Sequence, residues 1–322
     1  MTKQFIFSIC MMSLILLSIW IALSSGSWIG VWVGLELSTL SFVGYLSSGG
    51  GASYESGVKY FLVQSSASFL FLYASFFSQS SAMFVIMMIL TLFLKLGSAP
   101  FHLWVPMVAS GITWEGNIIF LTLQKIIPLW GLCLLYNGTF SYLYGAVSVM
   151  SCLLGGLGGW NELSLRKLLS FSSINHSGWM VACGMMSGWV WYTYWVFYSI
   201  LSSGLMLILS GLSLDHINDL SMKASWLPRL MLCIVLLSLA GVPPLTGFML
   251  KLVVLEASLN YSLQPLVYLL LTLSIVLMSF YLRLTLNSLS QTGLSGMEGG
   301  KKIMIFMTLL SSLGGVVFLG EV

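Results

Sequence analysis

Long apolar runs separated by short polar breaks follow one another along the whole chain, and 190–212 and 230–255 are two of the longest. Runs of this kind reach the length of about 18–20 residues that a helix needs to cross the hydrocarbon core of a membrane. Strands of a membrane β-barrel are shorter, with alternating and weak hydropathy. The pattern therefore predicts an all-α, polytopic membrane protein.

Hydropathy predicts about eleven transmembrane helices, at approximately 4–24, 27–47, 57–79, 82–101, 114–136, 140–160, 167–187, 189–212, 228–257, 263–289 and 302–320. One helix with a tight loop takes about 25–30 residues, so these helices account for nearly all of the 322 residues. We expect a single transmembrane domain over 1–322, with almost nothing left for a catalytic head. The segment 4–24 resembles a signal peptide, but the next apolar segment follows within a few residues, and we interpret it as the first span.

The composition supports the same class of protein. Only 7% of the residues are Asp, Glu, Lys or Arg and 58% are hydrophobic, whereas soluble proteins have about 25% charged residues. The net charge of +3 is too small to indicate nucleic-acid binding. The cysteines lie in apolar runs without metal-ligand spacing, so we expect neither a metal site nor disulfides. The glycine-rich segment 155–159 follows no strand, and we interpret it as a site of close helix packing rather than of nucleotide binding.

The loop charges lie on one side of the predicted membrane. If the N-terminus is on side A, that side receives Lys3, Glu55, Glu115, Glu162, Arg166, Lys167, Asp215, Asp219, Lys223, Arg229, Glu298, Lys301 and Lys302, with Lys59 and Arg283 nearby. The loops of side B receive no lysine or arginine. Positive loop charges mark the side from which a chain is inserted, so side A is predicted to be cytoplasm or mitochondrial matrix. An odd number of spans puts the C-terminus on side B.

Four charges remain inside apolar spans: Glu36, Lys95, Lys125 and Lys251. A lysine at the centre of a membrane helix costs about 2.5–3.5 kcal/mol on insertion scales. Each lysine taken alone is explained by snorkelling or by a structural ion pair. Three central lysines with one glutamate, in a chain with so few charges, instead favour a polar path in which lysines carry protons. Burial favours the neutral amine and a nearby carboxylate favours the charged one, so a lysine between these influences can bind and release a proton.

Two of these lysines lie beside prolines that interrupt a predicted helix. Pro100 cannot donate to the carbonyl of residue 96, beside Lys95, and Pro243 and Pro244 leave the carbonyls of residues 239 and 240 free upstream of Lys251. Broken helices at membrane depth mark transport sites. The lysine precedes its proline in the fourth span and follows it in the ninth, as inverted repeats would require. We therefore expect a first repeat at about 27–160, a second at about 167–290, and flanking helices at 4–24 and 302–320.

Three further residues are candidate relays. His102 lies seven residues after Lys95, on the same stripe of a continuous helix, and is equally explained as an interfacial residue. His176 lies in an unusually polar run, where a neutral histidine bonded to neighbouring serines is the alternative to a relay between lysines. Lys59 lies toward a span end and is a weaker candidate.

Six ordered segments resemble the antiporter-like subunits of respiratory complex I, and among them subunit 2 of animal mitochondrial NADH dehydrogenase. They are WVGLEL at 32–37, KYFLVQ at 59–64, LKLGSAPFHLWVP at 94–106, QKIIP at 124–128, LRKLLSFSSINHSGWM at 165–180 and GVPPLTGF at 241–248. The resemblance covers roughly residues 28–290. Two positions depart from the family pattern: Met107 replaces a common glutamate, and Leu250 replaces a common proline before the last lysine.

By this resemblance Glu36 and Lys95 form a glutamate–lysine pair, Lys125 is a central relay lysine, and Lys251 belongs to the second broken helix. Side A becomes the mitochondrial matrix. The family implies coupling of NADH-to-ubiquinone electron transfer to proton translocation, with NADH, FMN, iron–sulfur clusters and ubiquinone bound by other subunits and no cofactor bound here. The implied partners are other membrane-arm subunits and phospholipids, cardiolipin among them. A cation/proton antiporter subunit and an assembly scaffold without its own proton path are the alternatives.

Overall fold

The structure is a computed structural model that describes residues 2–186, 188–217, 219, 226–243 and 245–289. The chain divides into two compact units, Met1–Val147 and Ser148–Val322, with the division inside one helix. In the described residues of both units the regular structure is helical, apart from one isolated β-bridge between Ser164 and His216.

The first unit contains seven helices and the beginning of an eighth. They are α1 (Thr2–Ser24), α2 (Trp28–Leu46), α3 (Gly51–Phe76), α4 (Ala82–Leu96), α5 (Trp104–Gly111), α6 (Trp114–Leu121), α7 (Ile126–Leu135) and α8 (Ser141–Gly158), with short 3-10 helices at Leu123–Lys125 and Gly138–Phe140. Small residues let α1 and α2 approach closely, because a Cβ atom on Gly34 would lie only 2.7 Å from the Cβ of Ala22.

The described residues of the second unit form the remainder of α8 and five further helices. They are α9 (Leu165–Gly184), α10 (Gly188–Gly211), α11 (Trp226–Ala240), α12 (Thr246–Asn260) and α13 (Gln264–Leu289). A Cβ atom on Gly155 of α8 would lie 2.6 Å from the backbone nitrogen of Asn175 in α9. This contact confirms that the glycine-rich segment 155–159 serves close helix packing.

Two helices end in the same glycine motif, one in each unit. Gly97 follows α4 with φ of 71°, and Gly241 follows α11 with φ of 82°. The amides of Gly97 and Ser98 donate to the carbonyls of residues 94 and 93, both at 3.1 Å, and those of Gly241 and Val242 donate to residues 238 and 237 at 3.0 and 3.2 Å. These are the paired bonds of a Schellman helix end, which requires a left-handed residue and therefore favours glycine.

Ten of the predicted spans coincide with helices of the described residues. The eleventh, 302–320, lies outside those residues, together with Pro244, Lys223, Glu298, Lys301 and Lys302. The helix that contains most of the third predicted span, α3, begins at Gly51, six residues before the predicted start at 57. The glycines and serines at its start lower the hydropathy without preventing helix formation. The spans 114–136 and 228–257 are each divided into two helices, and the span 82–101 contains one helix that ends at Leu96.

Six helical stretches of the described residues are long and apolar enough to cross a membrane: Ile6–Ser24, Trp28–Leu46, Trp114–Leu135, Gly138–Gly158, Trp189–Gly211 and Gln264–Leu286. Two shorter apolar helices are Ala82–Leu96 and Arg229–Ala240. The polar side chains of α9 include Ser172, Ser173, Asn175 and His176, and all four are buried. The protein is thus a multi-helix membrane protein, and the count of eleven spans stays a prediction.

Candidate functional site

Lys95 lies in the last turn of α4, where the helix is stopped by Gly97. Its side chain is buried, with the residue 4% exposed, and its Nζ has no hydrogen-bond partner among the described residues. The carbonyl of Lys95 accepts a hydrogen bond from Gln64 Nε2 at 3.1 Å. A cation in the last turn of a helix interacts favourably with the negative end of the helix dipole. The end of α4 at Gly97 therefore contributes to stabilising the positive charge of this buried lysine.

Glu36, on α2, is the carboxylate that interacts electrostatically with Lys95. Within the described part of the chain, no carboxylate oxygen lies within 4.0 Å of Lys95 Nζ, so the two groups are not in direct contact. The Oε2 atom of Glu36 is buried and lacks a hydrogen-bond partner among the same residues. The two charges are thus arranged to attract each other across a gap.

Lys125 lies at a third helix interruption, which the sequence analysis missed. It ends the 3-10 segment Leu123–Lys125 between α6 and α7, and the residue is 5% exposed. The cause is Pro128, which has no amide hydrogen for the carbonyl of residue 124 and whose ring disfavours a continuous helix there. The signal was present in the sequence, since Pro128 follows Lys125 by three residues just as prolines lie near the other two lysines.

One small cavity, with a volume of about 20 Å³, is lined by both Lys95 and Lys125 inside the first unit. We call it the lysine cavity. Its lining residues are Leu35, Ser38, Thr39, Tyr60, Gln64, Lys95, Leu96, Trp104, Val105, Phe120, Leu121, Gln124, Lys125 and Pro128. They come from both sides of the breaks at Gly97 and at residues 122–125. The interruptions thus expose polar backbone and side chains to one shared space.

Polar groups of the lysine cavity form a short hydrogen-bonded series. Tyr60 Oη donates to Gln124 Oε1 at 3.3 Å, and Gln124 Nε2 donates to the carbonyl of Ser38 at 3.3 Å. Neither Tyr60 nor the two glutamines were singled out from the sequence. Gln64 and Gln124 could have been found as amide side chains within predicted apolar spans, where an unpartnered amide is costly.

Lys251 lies on α12 in the second unit, and its residue is 4% exposed. Its Nζ donates to the carbonyl of Ala240 at 3.0 Å and lies 5.8 Å from the ring centroid of Trp179. Ala240 is the last residue of α11. The carbonyl of residue 240, which the sequence predicted to lack a helical donor, thus accepts a hydrogen bond from Lys251 itself.

His176 belongs to a buried polar cluster on α9. Its Nδ1 and the hydroxyl of Tyr194 lie 3.0 Å apart, and its ring centroid lies 5.0 Å from that of Tyr198. In the same cluster Asn175 Nδ2 donates to the carbonyl of Cys152 at 3.0 Å. One of the two sequence-based interpretations gave His176 serine partners; its contacts in the structure include two tyrosines of α10.

Comparison with known proteins places these residues in a family. The chain matches the sequence family described as NADH:quinone oxidoreductase/Mrp antiporter, TM, over residues 74–278. It is 36% identical over 279 residues to NADH-ubiquinone oxidoreductase chain 2 of Anopheles gambiae, covering 82% of this chain and 81% of that protein. The corresponding protein of Aedes aegypti is 38% identical over the same length and with the same coverage. The chain belongs to the NADH-ubiquinone oxidoreductase chain 2 family. The resemblance inferred from the sequence motifs is therefore confirmed.

Solved structures share the fold of this chain 2 protein at lower sequence identity. Respiratory complex I from Thermus thermophilus contains a chain that matches with a TM-score of 0.81 and 22% identity, covering 95% of this chain and 75% of that one. The membrane-bound sulfane sulfur reductase, an archaeal respiratory complex, contains one with a TM-score of 0.83 and 17% identity, covering 96% and 72%. The Mrp complex of Dietzia sp. contains one with a TM-score of 0.74 and 17% identity, covering 89% and 61%.

Two candidate relays of the chain 2 sequence lie away from the residues that line the lysine cavity. Lys59 is exposed on α3 and forms an ion pair with Glu55 at 2.6 Å. His102 is buried in the loop between α4 and α5, with Nδ1 3.3 Å from the carbonyl oxygen of Pro100. Burial lowers the pKa of His102 below its ordinary value, against a smaller opposing effect of that carbonyl. Burial therefore favours the neutral form of this histidine.

Proposed function

We propose that this chain is a proton-translocating membrane-arm subunit of NADH:ubiquinone oxidoreductase, coupling electron transfer elsewhere in the complex to proton movement. The observation that carries the proposal is the lysine cavity, where two buried lysines share one space lined by amide and hydroxyl groups. Intramembrane lysines are costly and are typical of ion and proton pathways. The chain 2 names of the relatives support the assignment to this complex.

The proposed cycle begins with a change in the distance between Glu36 and Lys95, which are not in direct contact in this structure. Two unit charges 4 Å apart interact by about 4 kcal/mol at an effective dielectric constant near 20, which changes a proton affinity by a factor of about 10³. Redox energy released elsewhere in the complex would move Glu36 toward or away from Lys95. Lys95 would then bind or release a proton, with transfer continuing through Lys125 to Lys251 and from matrix to intermembrane space. His176 is a candidate relay for the second unit.

We infer a membrane arrangement of about eleven crossing helices in two inverted repeats, at about 27–160 and 167–290, within one transmembrane domain flanked by 4–24 and 302–320. Gly97 after α4 and Gly241 after α11 end their helices in the same way, each close to a buried lysine. This similarity supports a common origin of the two halves. The protein would lie in the mitochondrial inner membrane. The one-sided loop charges support an N-terminus in the matrix and a C-terminus in the intermembrane space.

The redox chemistry belongs, in this proposal, to other subunits. NADH, FMN, the iron–sulfur clusters and ubiquinone would bind there, and this chain would supply proton transfer alone. Its partners would be neighbouring membrane-arm subunits and phospholipids, cardiolipin among them, and no nucleic acid.

Two other functions share the same residues. A cation/proton antiporter subunit is favoured by the structural likeness to a chain of the Mrp complex, and sodium-dependent transport by the purified complex would support it. An assembly scaffold would use the buried charges only as structural pairs. Arginine in place of lysine separates the scaffold from the proton carrier, since arginine preserves a pair but does not release its proton.

Lys95→Met and Lys125→Met in the assembled complex test the proposal. Each should reduce NADH-driven proton pumping and coupled NADH oxidation, because methionine preserves the bulk of the side chain but carries no proton. Lys167→Met is the matched control, since Lys167 is partly exposed and lies 3.9 Å from Glu162 at the surface. An unchanged number of protons per electron in both cavity variants would refute the proposal.

A further inference from the structure

Lys251 is a buried lysine without an adjacent carboxylate among the residues that the structure describes. Within the part of the chain that the structure describes, no carboxylate oxygen lies within 4.0 Å of its Nζ. Glu256 lies five residues further along α12, about 140° around the helix, and is exposed. The ammonium instead contacts the Ala240 carbonyl at 3.0 Å and the Trp179 ring at 5.8 Å.

The Ala240 carbonyl is available because α11 stops there. In a continuous helix it would accept from the amide of residue 244, but that residue is a proline and has no amide hydrogen. The final carbonyls of a helix also carry the negative end of its dipole. This carbonyl is therefore a suitable neutral partner for a buried ammonium.

Gly241 provides the space that the ammonium occupies. A Cβ atom at this position would lie 2.6 Å from Lys251 Nζ and 2.9 Å from its Cε. The same residue adopts the left-handed φ of 82° that stops α11. Gly241 thus ends α11 and also leaves room for the Lys251 ammonium to donate to the Ala240 carbonyl.

Trp179 covers the ammonium with an aromatic face. The indole is fully buried on α9 and is stacked on Tyr194, with ring centroids 6.4 Å apart and an interplanar angle of 5°. This stacking fixes the ring plane. An ammonium over an indole face within about 6 Å is stabilised as the cation, most strongly away from water.

We propose that Gly241 and Trp179 are positioning residues that hold the Lys251 ammonium on the Ala240 carbonyl. A helix end and an indole ring thereby support this charge in the way that Glu36 supports Lys95. The inference rests on the proposed function only in giving Lys251 a role in proton transfer; the positioning itself is testable without pumping.

The titratable groups on the helices around Lys251 are mainly thiols and phenols; α11, which packs against α12, carries the buried Cys233 and, near its start, the buried Arg229. The Cys152 thiol, from α8, is the described titratable group that interacts with it electrostatically. Helices α10 and α13, which pack against α12, contribute the buried tyrosines Tyr194, Tyr198 and Tyr281. These groups do not replace the missing carboxylate, so removal of the ring or displacement from the carbonyl acts directly on the lysine.

Acylation by a membrane-permeant N-hydroxysuccinimide ester provides the test, because only the neutral amine reacts. The assembled complex would be labelled across a pH series, and modification of Lys251 measured by mass spectrometry. In Trp179→Leu the pH of half-maximal labelling should fall by about one unit, and Trp179→Phe should show a smaller fall because it retains an aromatic face. Gly241→Ala should show a fall similar to that of Trp179→Leu. Lys125, in the same samples, is the internal control and should not change.

Unchanged Lys251 labelling in Trp179→Leu would overturn the inference, and this variant carries the test by itself if Gly241→Ala fails to assemble. Lys251→Met distinguishes the two levels of the account. If its proton-to-electron ratio is normal while the labelling of Trp179→Leu still changes, the positioning stands and the role of Lys251 in pumping fails. If Lys251→Met loses pumping but Lys251 in Trp179→Leu is labelled as in wild type, the role of Lys251 in pumping stands and the positioning fails.

Discussion

The side chain of Gln64 caps the broken end of α4 at Lys95, with its Nε2 3.1 Å from the Lys95 carbonyl oxygen. Because α4 ends at Gly97, the helix does not continue past the Lys95 carbonyl. The neighbouring carbonyl of Leu94 likewise accepts a side-chain hydrogen bond, from Trp104 Nε1 at 3.2 Å. The interruption beside the lysine is therefore a satisfied structure rather than a local defect.

Gln64→Leu should destabilise the chain by about 1–3 kcal/mol, because it leaves the buried Lys95 carbonyl without its donor. We expect a lower temperature of thermal inactivation of the complex, together with reduced coupled activity. Ser66→Ala is the control, since Ser66 lies exposed on the same helix and bonds only to the carbonyl of Val63. Equal thermal stability of the two variants would contradict the capping role.

Tyr60→Phe should separate packing from hydrogen bonding in the lysine cavity. The ring contacts to Phe42 and Phe120, at centroid distances of 5.0 and 5.9 Å, are retained, while the hydroxyl bond to Gln124 is lost. A stability loss of about 0.5–1.5 kcal/mol is expected for one hydrogen bond. The complex should remain close to wild type in thermal stability while its proton-to-electron ratio falls. A wild-type ratio would show that the Tyr60–Gln124 series takes no part in transfer.

Gly155→Ala should destabilise the second unit by about 1–3 kcal/mol through overpacking. Its new methyl group would meet the backbone of Asn175 and Phe171, at 2.6 and 2.8 Å, and backbone atoms cannot move aside as a flexible side chain would. The yield of assembled complex after mild heating measures the effect. Gly211→Ala is the matched control, because no described atom outside its own chain neighbours and helix backbone lies within 4 Å of its Cβ position. A comparable loss in the control would contradict this explanation.

Lys59→Gln should leave proton pumping close to wild type, because Lys59 is exposed and paired with Glu55 rather than directed to the lysine cavity. Lys59 lowers the pKa of the Glu55 carboxyl, which precedes the predicted span. The pair is therefore present at neutral pH and is lost as the pH falls through that lowered pKa. Pumping measured at pH 7 checks the prediction, and a reduction as large as in Lys95→Met would restore Lys59 as a relay.

Much of this arrangement could be predicted from residue types alone. Apolar runs predicted the helices, and Pro100 and Pro243 predicted interruptions close to the ends of α4 and α11, since a proline affects its own helix locally. Pro128 carried the same signal, yet the interruption at Lys125 was missed because the surrounding run is apolar enough to be interpreted as one helix.

The partners of the buried charges could not be predicted, because they depend on contacts between helices distant in sequence. Gln64 is 31 residues from Lys95 along the chain, and nothing in the local pattern assigns its amide to that carbonyl. Similarly, hydropathy predicted the burial of Lys251 but not its contacts with Ala240 and Trp179. Those contacts depend on the packing of α9, α11 and α12.

The most direct test of the central claim is the proton-to-electron ratio of the reconstituted complex carrying Lys125→Arg. Arginine preserves the positive charge and any structural pair but does not release its proton. If Lys125 carries protons, the complex should assemble and oxidise NADH with a reduced number of protons moved per electron. A wild-type ratio in this variant would contradict the account and leave the buried lysines as structural charges.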